Sequence, residues 1–435
     1  KTVAYVNEHM DTLSGISVNE DMIRKYNYSE YFSSIIGYTG PISESEYTAL
    51  HKKNKDYTQN DTVGKAGMEQ YYETYLRGKN GEQKFYIDNV GRISEIISST
   101  DSVAGDDLYL SIDADLQKAT YLALQNEIAA IVYSNIKSGE IPINDVYTAL
   151  IGNSVINTEH FSKAKASDTE KNVLSVFKSR QKTTLGKIKQ ELTSSPEALN
   201  TMSDEVLDEF TYIISMLKDD QVLLKNEIDT SDSVYQKWKN QKISPKEYLS
   251  YCITQHWIDI SQLNVDEKYA DSTEVYDALC KYILKNIKTD TEFSKIIYQY
   301  MITRGEISPR QLCLILFDQG VLDYDDATVN KLKNGSLSPR DFLMKKIYNI
   351  EITPAQLALE PCTGSCVVTD EKTGEILAMV SYPGYDSNKL ANGVDSEYFA
   401  SLQHDKSSPL LNYATQQKTA PGSTFKLVSA TAGLA

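Results

Sequence analysis

Residues 419–426 read Thr-Ala-Pro-Gly-Ser-Thr-Phe-Lys, and an apolar run from Leu427 to Leu434 follows at once. Pro421 and Gly422 break the chain, so a strand-to-helix or loop-to-helix corner is expected just before Ser423. Ser423 and Lys426 then stand three residues apart at the start of a helix. That is about one turn, so the hydroxyl and the amine leave the same face. A serine hydroxyl is a weak nucleophile until a base takes its proton, and a lysine desolvated by burial can be that base. After Phe425 every residue but Lys426 is apolar or small. This predicts a helix buried all round, with the lysine drawn into the interior. On these local features a catalytic pair and a structural turn both fit.

Ser-x-x-Lys also occurs at Ser134/Lys137, Ser162/Lys165, Ser175/Lys178, Ser179/Lys182 and Ser215/Lys218. Those pairs lie in polar, helix-prone sequence, where a solvated helix face explains them. The Pro-Gly corner and the apolar run distinguish Ser423.

Upstream, Ser365-Cys-Val-Val-Thr-Asp370 and Glu375-Ile-Leu-Ala-Met-Val-Ser381 predict two strands joined by the tight turn Glu371–Gly374, hence a β-hairpin. A loop rich in Tyr, Gly, Asp and Asn leads from the hairpin to Pro421. From about 140 to 351 glycine and proline are rare, and apolar residues recur at three- and four-residue spacing, as in Val206, Leu207, Phe210, Ile213, Ile214 and Leu217. One phrase recurs there: Ile243-Ser-Pro-Lys-Glu-Tyr-Leu249, Ile307-Ser-Pro-Arg-Gln-Leu-Cys313, Leu337-Ser-Pro-Arg-Asp-Phe-Leu343 and Ile352-Thr-Pro-Ala-Gln-Leu-Ala358. Each predicts a helix start, with Ser or Thr as cap, proline first, an acid or amide third, and an apolar staple around them. The irregular spacing argues for reused capping chemistry and against a solenoid.

Residues 1–107 are mixed and turn-rich. A β-type run at 84–88 and helical stretches at 43–52 and 66–76 are expected, with Gly78 placed to end the second helix. Asp107–Ile112 predicts a strand, and Asp115–Tyr133 a helix.

The length allows two or three domains, and a hydrophobic fraction of 41% supports a sizeable core. With 60 acidic against 44 basic residues the formal charge is -16. This excludes nucleic acid as a partner on electrostatic grounds and disfavours direct adhesion to an anionic membrane. Cys362 and Cys366 are spaced to permit a small disulfide, although the five cysteines also fit buried apolar positions. Neither cysteines nor scattered histidines form a zinc pattern, so no metal and no cofactor are expected. No run reaches the roughly 18 apolar residues of a membrane span. The chain opens mid-pattern at Lys1-Thr-Val-Ala, as an excised ectodomain or a fragment would.

Several segments, taken in order, resemble the class B penicillin-binding proteins, the monofunctional peptidoglycan D,D-transpeptidases. Ile36-Gly-Tyr-Thr-Gly-Pro-Ile-Ser43, Val63-Gly-Lys-Ala-Gly-Met-Glu69 and Tyr75-Leu-Arg-Gly-Lys-Asn-Gly81 resemble the pedestal, or dimerisation, domain. Leu110-Ser-Ile-Asp113 with Leu116-Gln117 resembles the entry to the transpeptidase domain. Thr373-Gly-Glu-Ile-Leu-Ala-Met379, Ser381-Tyr-Pro-Gly-Tyr-Asp386, Leu411-Asn412 and Pro421-Gly-Ser-Thr-Phe-Lys426 complete the series. The resemblance implies an α+β chain. Residues 1–107 would be the pedestal, 108–139 the start of the transpeptidase domain, 140–351 an all-helical insertion, and 352–435 the truncated hairpin and nucleophile helix of that α/β domain.

Under the same resemblance Ser423 is the nucleophile and a backbone oxyanion donor, and Lys426 is its general base. The partners implied are stem peptides ending in D-Ala-D-Ala, β-lactams in the intact enzyme, and cell-wall synthesis proteins on the pedestal. The implied location is the extracytoplasmic face of the bacterial membrane, through an N-terminal anchor outside this chain. The family's Ser-x-Asn and Lys-Thr-Gly motifs lie beyond Ala435, so the chain as it stands is expected to be inactive. Lys372-Thr373-Gly374 spells the third motif on a hairpin turn, and Ser17-Val18-Asn19 spells the second in the pedestal region; neither is expected to serve. Tyr413 stands where the family usually has arginine, and Thr419 where an aromatic residue is common. Glu69 and Arg77 are expected to form structural charge pairs, although partner contact is the alternative. Tyr382, Tyr385 and Asp386 fit either the approach to a cleft or loop packing. A class D β-lactamase or β-lactam sensor would share the Ser-Thr-Phe-Lys, but the pedestal-like region argues against both. A scaffold that binds cell-wall machinery through pedestal and insertion is a third reading.

Overall fold

The computed structural model describes residues 2–9, 13, 23–87, 93–194, 197–263, 265 and 271–434. The chain is α+β and divides into two compact units, Lys1–Ile131 with Glu360–Ala435, and Val132–Leu359. Ser17, Val18 and Asn19 lie outside the described residues.

In the first unit three antiparallel two-stranded sheets alternate with helices. Thr39–Pro41 pairs with Thr62–Gly64, and the helix Glu44–Lys53 between them starts in a capping box on Ser43. The stretch expected as one helix over 66–76 is two short ones, Gly67–Tyr71 and Glu73–Leu76, broken at Tyr72, whose φ of -102° and ψ of 20° leave the helical basin. Gly78 follows with φ 72°. A ribbon of Glu82–Ile87 against Ile93–Thr100 comes next.

The strand expected over 107–112 does not form. Tyr109 is 88% exposed. The segment touches the hairpin strand Ile376–Tyr382 only near its end, where Ser111 Oγ donates to Ile376 O (2.7 Å) and Asp113 N–H to Leu377 O (2.9 Å). Two isolated bonds do not make the ladder that a strand requires.

The helix Ala114–Ser138 is tied to that hairpin by one buried amide. Gln117 Oε1 accepts from Met379 N–H (2.8 Å), while its Nε2 donates to Met379 O (3.0 Å) and Tyr31 O (2.8 Å). The same helix lies so close to the first hairpin strand, Gly364–Thr369, that a Cβ on Gly364 would sit 3.2 Å from Ile128 Cδ1 and 3.3 Å from Leu124 Cδ1. The hairpin itself has the expected strands, with Val367 opposite Met379 and Val368 opposite Ala378. Its 370–375 turn closes on Asp370, whose carboxylate accepts the N–H groups of Lys372 and Thr373 (both 2.8 Å). Lys372-Thr373-Gly374 is therefore turn chemistry.

Among its described residues the second unit is helical, apart from one bridge between Leu223 and Ile258. The four repeated phrases all start helices. Ser244, Ser308, Ser338 and Thr353 accept from the N–H three residues on at 3.1, 3.3, 3.1 and 3.2 Å, each with proline in the first turn. At Ser308 and Thr353 the glutamine reaches back and completes the box. The helix Asp204–Asp219 buries Phe210, Ile213, Ile214 and Leu217, with Val206 and Leu207 packed beside them.

This helical core also holds carboxylates. Glu205 is bonded by Arg180 (2.8 and 2.9 Å) and Arg304 (2.5 Å). Glu170 accepts from Gln319 Nε2 (2.8 Å) and Ser167 N–H (2.7 Å) and lies 2.7 Å from His160 Nδ1. Glu209, one turn after Glu205, is only 1% exposed, and its Oε1 has no hydrogen-bond partner. Burial, with the Glu205 charge adding to it, pushes the Glu209 carboxyl up to about 8.

Candidate active site

Ser423 lies in a single 3₁₀ turn, Gly422–Phe425, that opens directly into the helix Lys426–Leu434. Pro421 holds φ -68°, and Gly422 takes φ 56°, the left-handed conformation that glycine adopts without a Cβ clash. Thr424 Oγ1 donates to Pro421 O (2.5 Å), and Lys426 N–H closes the turn on Ser423 O. The corner thus places Ser423 at the head of the helix, with Lys426 on its first residue.

The expected burial is absent. Phe425 is 52% exposed, Leu427 78% and Leu434 91%, and no residue of the helix is buried. Its main packing is against the turn that leads into it, so no described element covers the apolar face. Ser423 and Lys426 are both exposed, and neither side chain has a hydrogen-bond partner among the described residues. An apolar composition specifies burial only where a second surface meets it.

The other Ser-x-x-Lys pairs have no such corner. Ser134/Lys137, Ser175/Lys178, Ser179/Lys182 and Ser215/Lys218 lie within longer helices, and Ser162 ends the turn Thr158–Ser162.

Glu69 and Arg77 are both in charge pairs, with separate partners. Arg24 and the Tyr26 hydroxyl meet Glu69 (3.2 and 3.3 Å), while Arg77 binds Asp61 and lies 4.0 Å over the Tyr57 ring. Tyr382 and Tyr385 are buried. Tyr385 N–H donates to Ser33 Oγ, and its hydroxyl to Ser33 O (both 3.1 Å). Asp386 accepts from Ser29 Oγ (2.8 Å). These contacts hold the 382–386 segment against the helix Ser29–Ile36. Tyr413 is likewise held, with N–H to Ser381 Oγ (2.9 Å) and hydroxyl to Ser407 O (2.8 Å). All five cysteines are free; Cys366 is partly exposed and the rest are buried. Burial, then Glu360, pushes the Cys362 thiol up to about 12.

Gln117 ties the helix Ala114–Ser138 to the hairpin, a role that sequence reasoning did not assign to it. Its only signal was its place in the short phrase Leu116-Gln117, because its three partners lie elsewhere in the chain.

Comparison with known proteins matches the two ends of the chain. Residues 1–110 match the penicillin-binding protein dimerisation domain, and residues 364–435 the penicillin-binding protein transpeptidase domain. The chain thus carries a dimerisation domain and part of a transpeptidase domain, and is homologous to the class B peptidoglycan D,D-transpeptidases. Among similar proteins, the peptidoglycan D,D-transpeptidase MrdA of Salmonella typhimurium is 31% identical over 130 residues, covering 29% of this chain and 21% of the relative. Penicillin-binding protein 2A of Bacillus subtilis is 33% identical over 132 residues (30% and 18%), and MrdA of Escherichia coli 30% over 129 residues (29% and 20%). The matched stretch is about a fifth of each relative's length.

Proposed function

We propose that the protein serves bacterial cell-wall synthesis as a serine D,D-transpeptidase that cross-links peptidoglycan. Ser423 Oγ attacks the penultimate D-Ala carbonyl of a stem peptide, and Lys426 Nζ takes the hydroxyl proton. The Ser423 N–H stabilises the oxyanion. The terminal D-Ala leaves as the amine, accepting a proton, and the acyl group passes to an amine of a neighbouring stem, regenerating the hydroxyl. A β-lactam acylates the same serine.

The observation that carries this reading is the left-handed Gly422 corner, which presents Ser423 one turn from Lys426 inside the transpeptidase match. The dimerisation match over 1–110 favours a penicillin-binding protein over a β-lactamase or sensor. Residues 1–107 would form the pedestal and dock cell-wall synthesis proteins, and 140–351 would be an insertion. Attachment to the extracytoplasmic membrane face belongs to this proposal; among the described residues no helix is long and apolar enough to cross a membrane.

The test is acylation of the native gene product by a fluorescent penicillin, with the labelled peptide sequenced. Label on Ser423 that disappears in Ser423→Ala is the expected result. Label elsewhere, or unchanged in that variant, overturns the assignment.

A further inference from the structure

A cavity of about 610 Å³ opens in the first unit between the first turn of the helix Ser29–Ile36 and the loop around 384–398. Its walls are locked by bonds between segments remote in sequence. Asn388 clamps the Tyr26 backbone from both sides, accepting from its N–H (2.8 Å) and donating to its O (3.0 Å). Asp386 is fixed by Ser29 Oγ and by the Asn388 N–H (3.0 Å). The Tyr398 hydroxyl accepts the Asp386 N–H (2.8 Å), which leaves its own proton to donate outward.

Within this rigid frame three features face a ligand. Tyr28 holds φ 53° and ψ 36°, a left-handed conformation rare for a bulky aromatic residue, while its ring stays 56% exposed. Among the described residues the Glu30 carboxylate accepts a hydrogen bond from the Tyr121 hydroxyl alone, at 3.4 Å. Burial of its carboxyl lifts it above the ordinary range, Tyr121 opposing and Asp386 adding to the shift, while the residue as a whole stays open to solvent. Lysine ammoniums already stand over the rings: Lys118 over Tyr28 (5.4 Å) and Tyr31 (6.0 Å), and Lys389 over Tyr398 (4.6 Å).

This balance of charge selects the ligand. A cation would be repelled by Lys118 and Lys389, and an anion would meet Glu30 and Asp386. A neutral ring with a flat C–H face and several hydroxyls escapes both repulsions, and it stacks on Tyr28, donates to Glu30 and accepts from Tyr398. We propose that the cleft binds a sugar ring of a glycan chain. The identity of that glycan as the cell-wall polymer rests on the function proposed above; the cleft's chemistry does not.

Chitotetraose, a peptide-free oligomer of N-acetylglucosamine, is the probe, titrated into the 435-residue protein and followed by saturation-transfer NMR. Saturable binding is expected. Tyr28→Ala, Glu30→Gln and Tyr398→Phe should each weaken it ~10-fold or more, and Ser423→Ala should leave it unchanged. Glu30→Gln and Tyr398→Phe keep the side-chain shape, so they decide the matter even where Tyr28→Ala fails to fold. Absence of saturable binding, or binding that these two variants do not weaken, overturns the proposal. The probe carries no peptide, so glycan binding by this chain with no acylation of Ser423 in the native gene product would remove the transpeptidase reading alone, and acylation of that gene product without glycan binding here the cleft alone.

Discussion

Two helices rich in apolar residues end in opposite surroundings. Asp204–Asp219 carries its apolar residues in a stripe and buries Phe210, Ile213 and Leu217 completely, whereas Lys426–Leu434 is apolar nearly all round and buries nothing. The stripe names the face that must be covered, and the neighbouring helices of its own unit cover it. A uniformly apolar helix names no face, and what covers it must come from a surface its own sequence does not describe. Residue type therefore predicted packing for the first helix and failed for the second.

Removing a side chain on each helix gives the sharpest break. Phe210→Ala should cost about 3–5 kcal/mol in urea unfolding, because it leaves a cavity in a closed core. A loss below about 1 kcal/mol would mean that the helical core is looser than its burial implies.

The next effect concerns the charge on the same buried helix. Glu209 has a folded-state pKa of about 8, against 4.5 for the free side chain. A group raised on folding contributes stability that is whole below the unfolded value and is lost as pH rises through the folded one. Arg180 and Lys187 oppose the shift, while Glu205 and Asp208 promote it. Stability of the native protein should therefore fall by a few kcal/mol between about pH 5 and pH 8. Glu209→Gln should flatten that slope. An equal slope in the variant would assign the pH dependence to other groups.

Gln117→Leu comes third, at about 1–3 kcal/mol, since it strands the Met379 N–H and two carbonyls under cover. The loss should appear as exchange of the Met379 amide in hydrogen-exchange measurements, with the helical unit's protection unmoved. Ser308→Ala should cost about 1 kcal/mol through the lost cap, read from the urea midpoint.

These last two sites mark the limit of what the chain declares. The Ser308 cap was legible because donor and acceptor lie three residues apart, and the hairpin because its turn chemistry is local. The nucleophile corner was legible too, since Pro421 and Gly422 adjoin Ser423. Gln117 was not, because its partners are 86 and 262 residues away and any polar residue would have suited a helix surface. Nor was the fate of residues 107–112. Their alternation fits a strand, but a strand needs a neighbour along its whole length, and among the described contacts only Ser111, with Asp113 just beyond the segment, bonds the hairpin.

The smallest effect is expected on the exposed helix, and it completes the comparison. Leu427→Ala should change stability by less than about 0.5 kcal/mol, because the side chain has little contact to lose. The chemistry should be as quiet as the energetics. An acylation site depends on shielding and on several aimed donors around the nucleophile, and the described residues leave Ser423 uncovered, with its own N–H as the donor. The 435-residue chain should therefore gain no stoichiometric penicillin mass in intact-protein spectrometry. A full adduct on Ser423, absent in Ser423→Ala, would show that the corner and Lys426 suffice without cover. The contrast between the two helices would then concern stability alone.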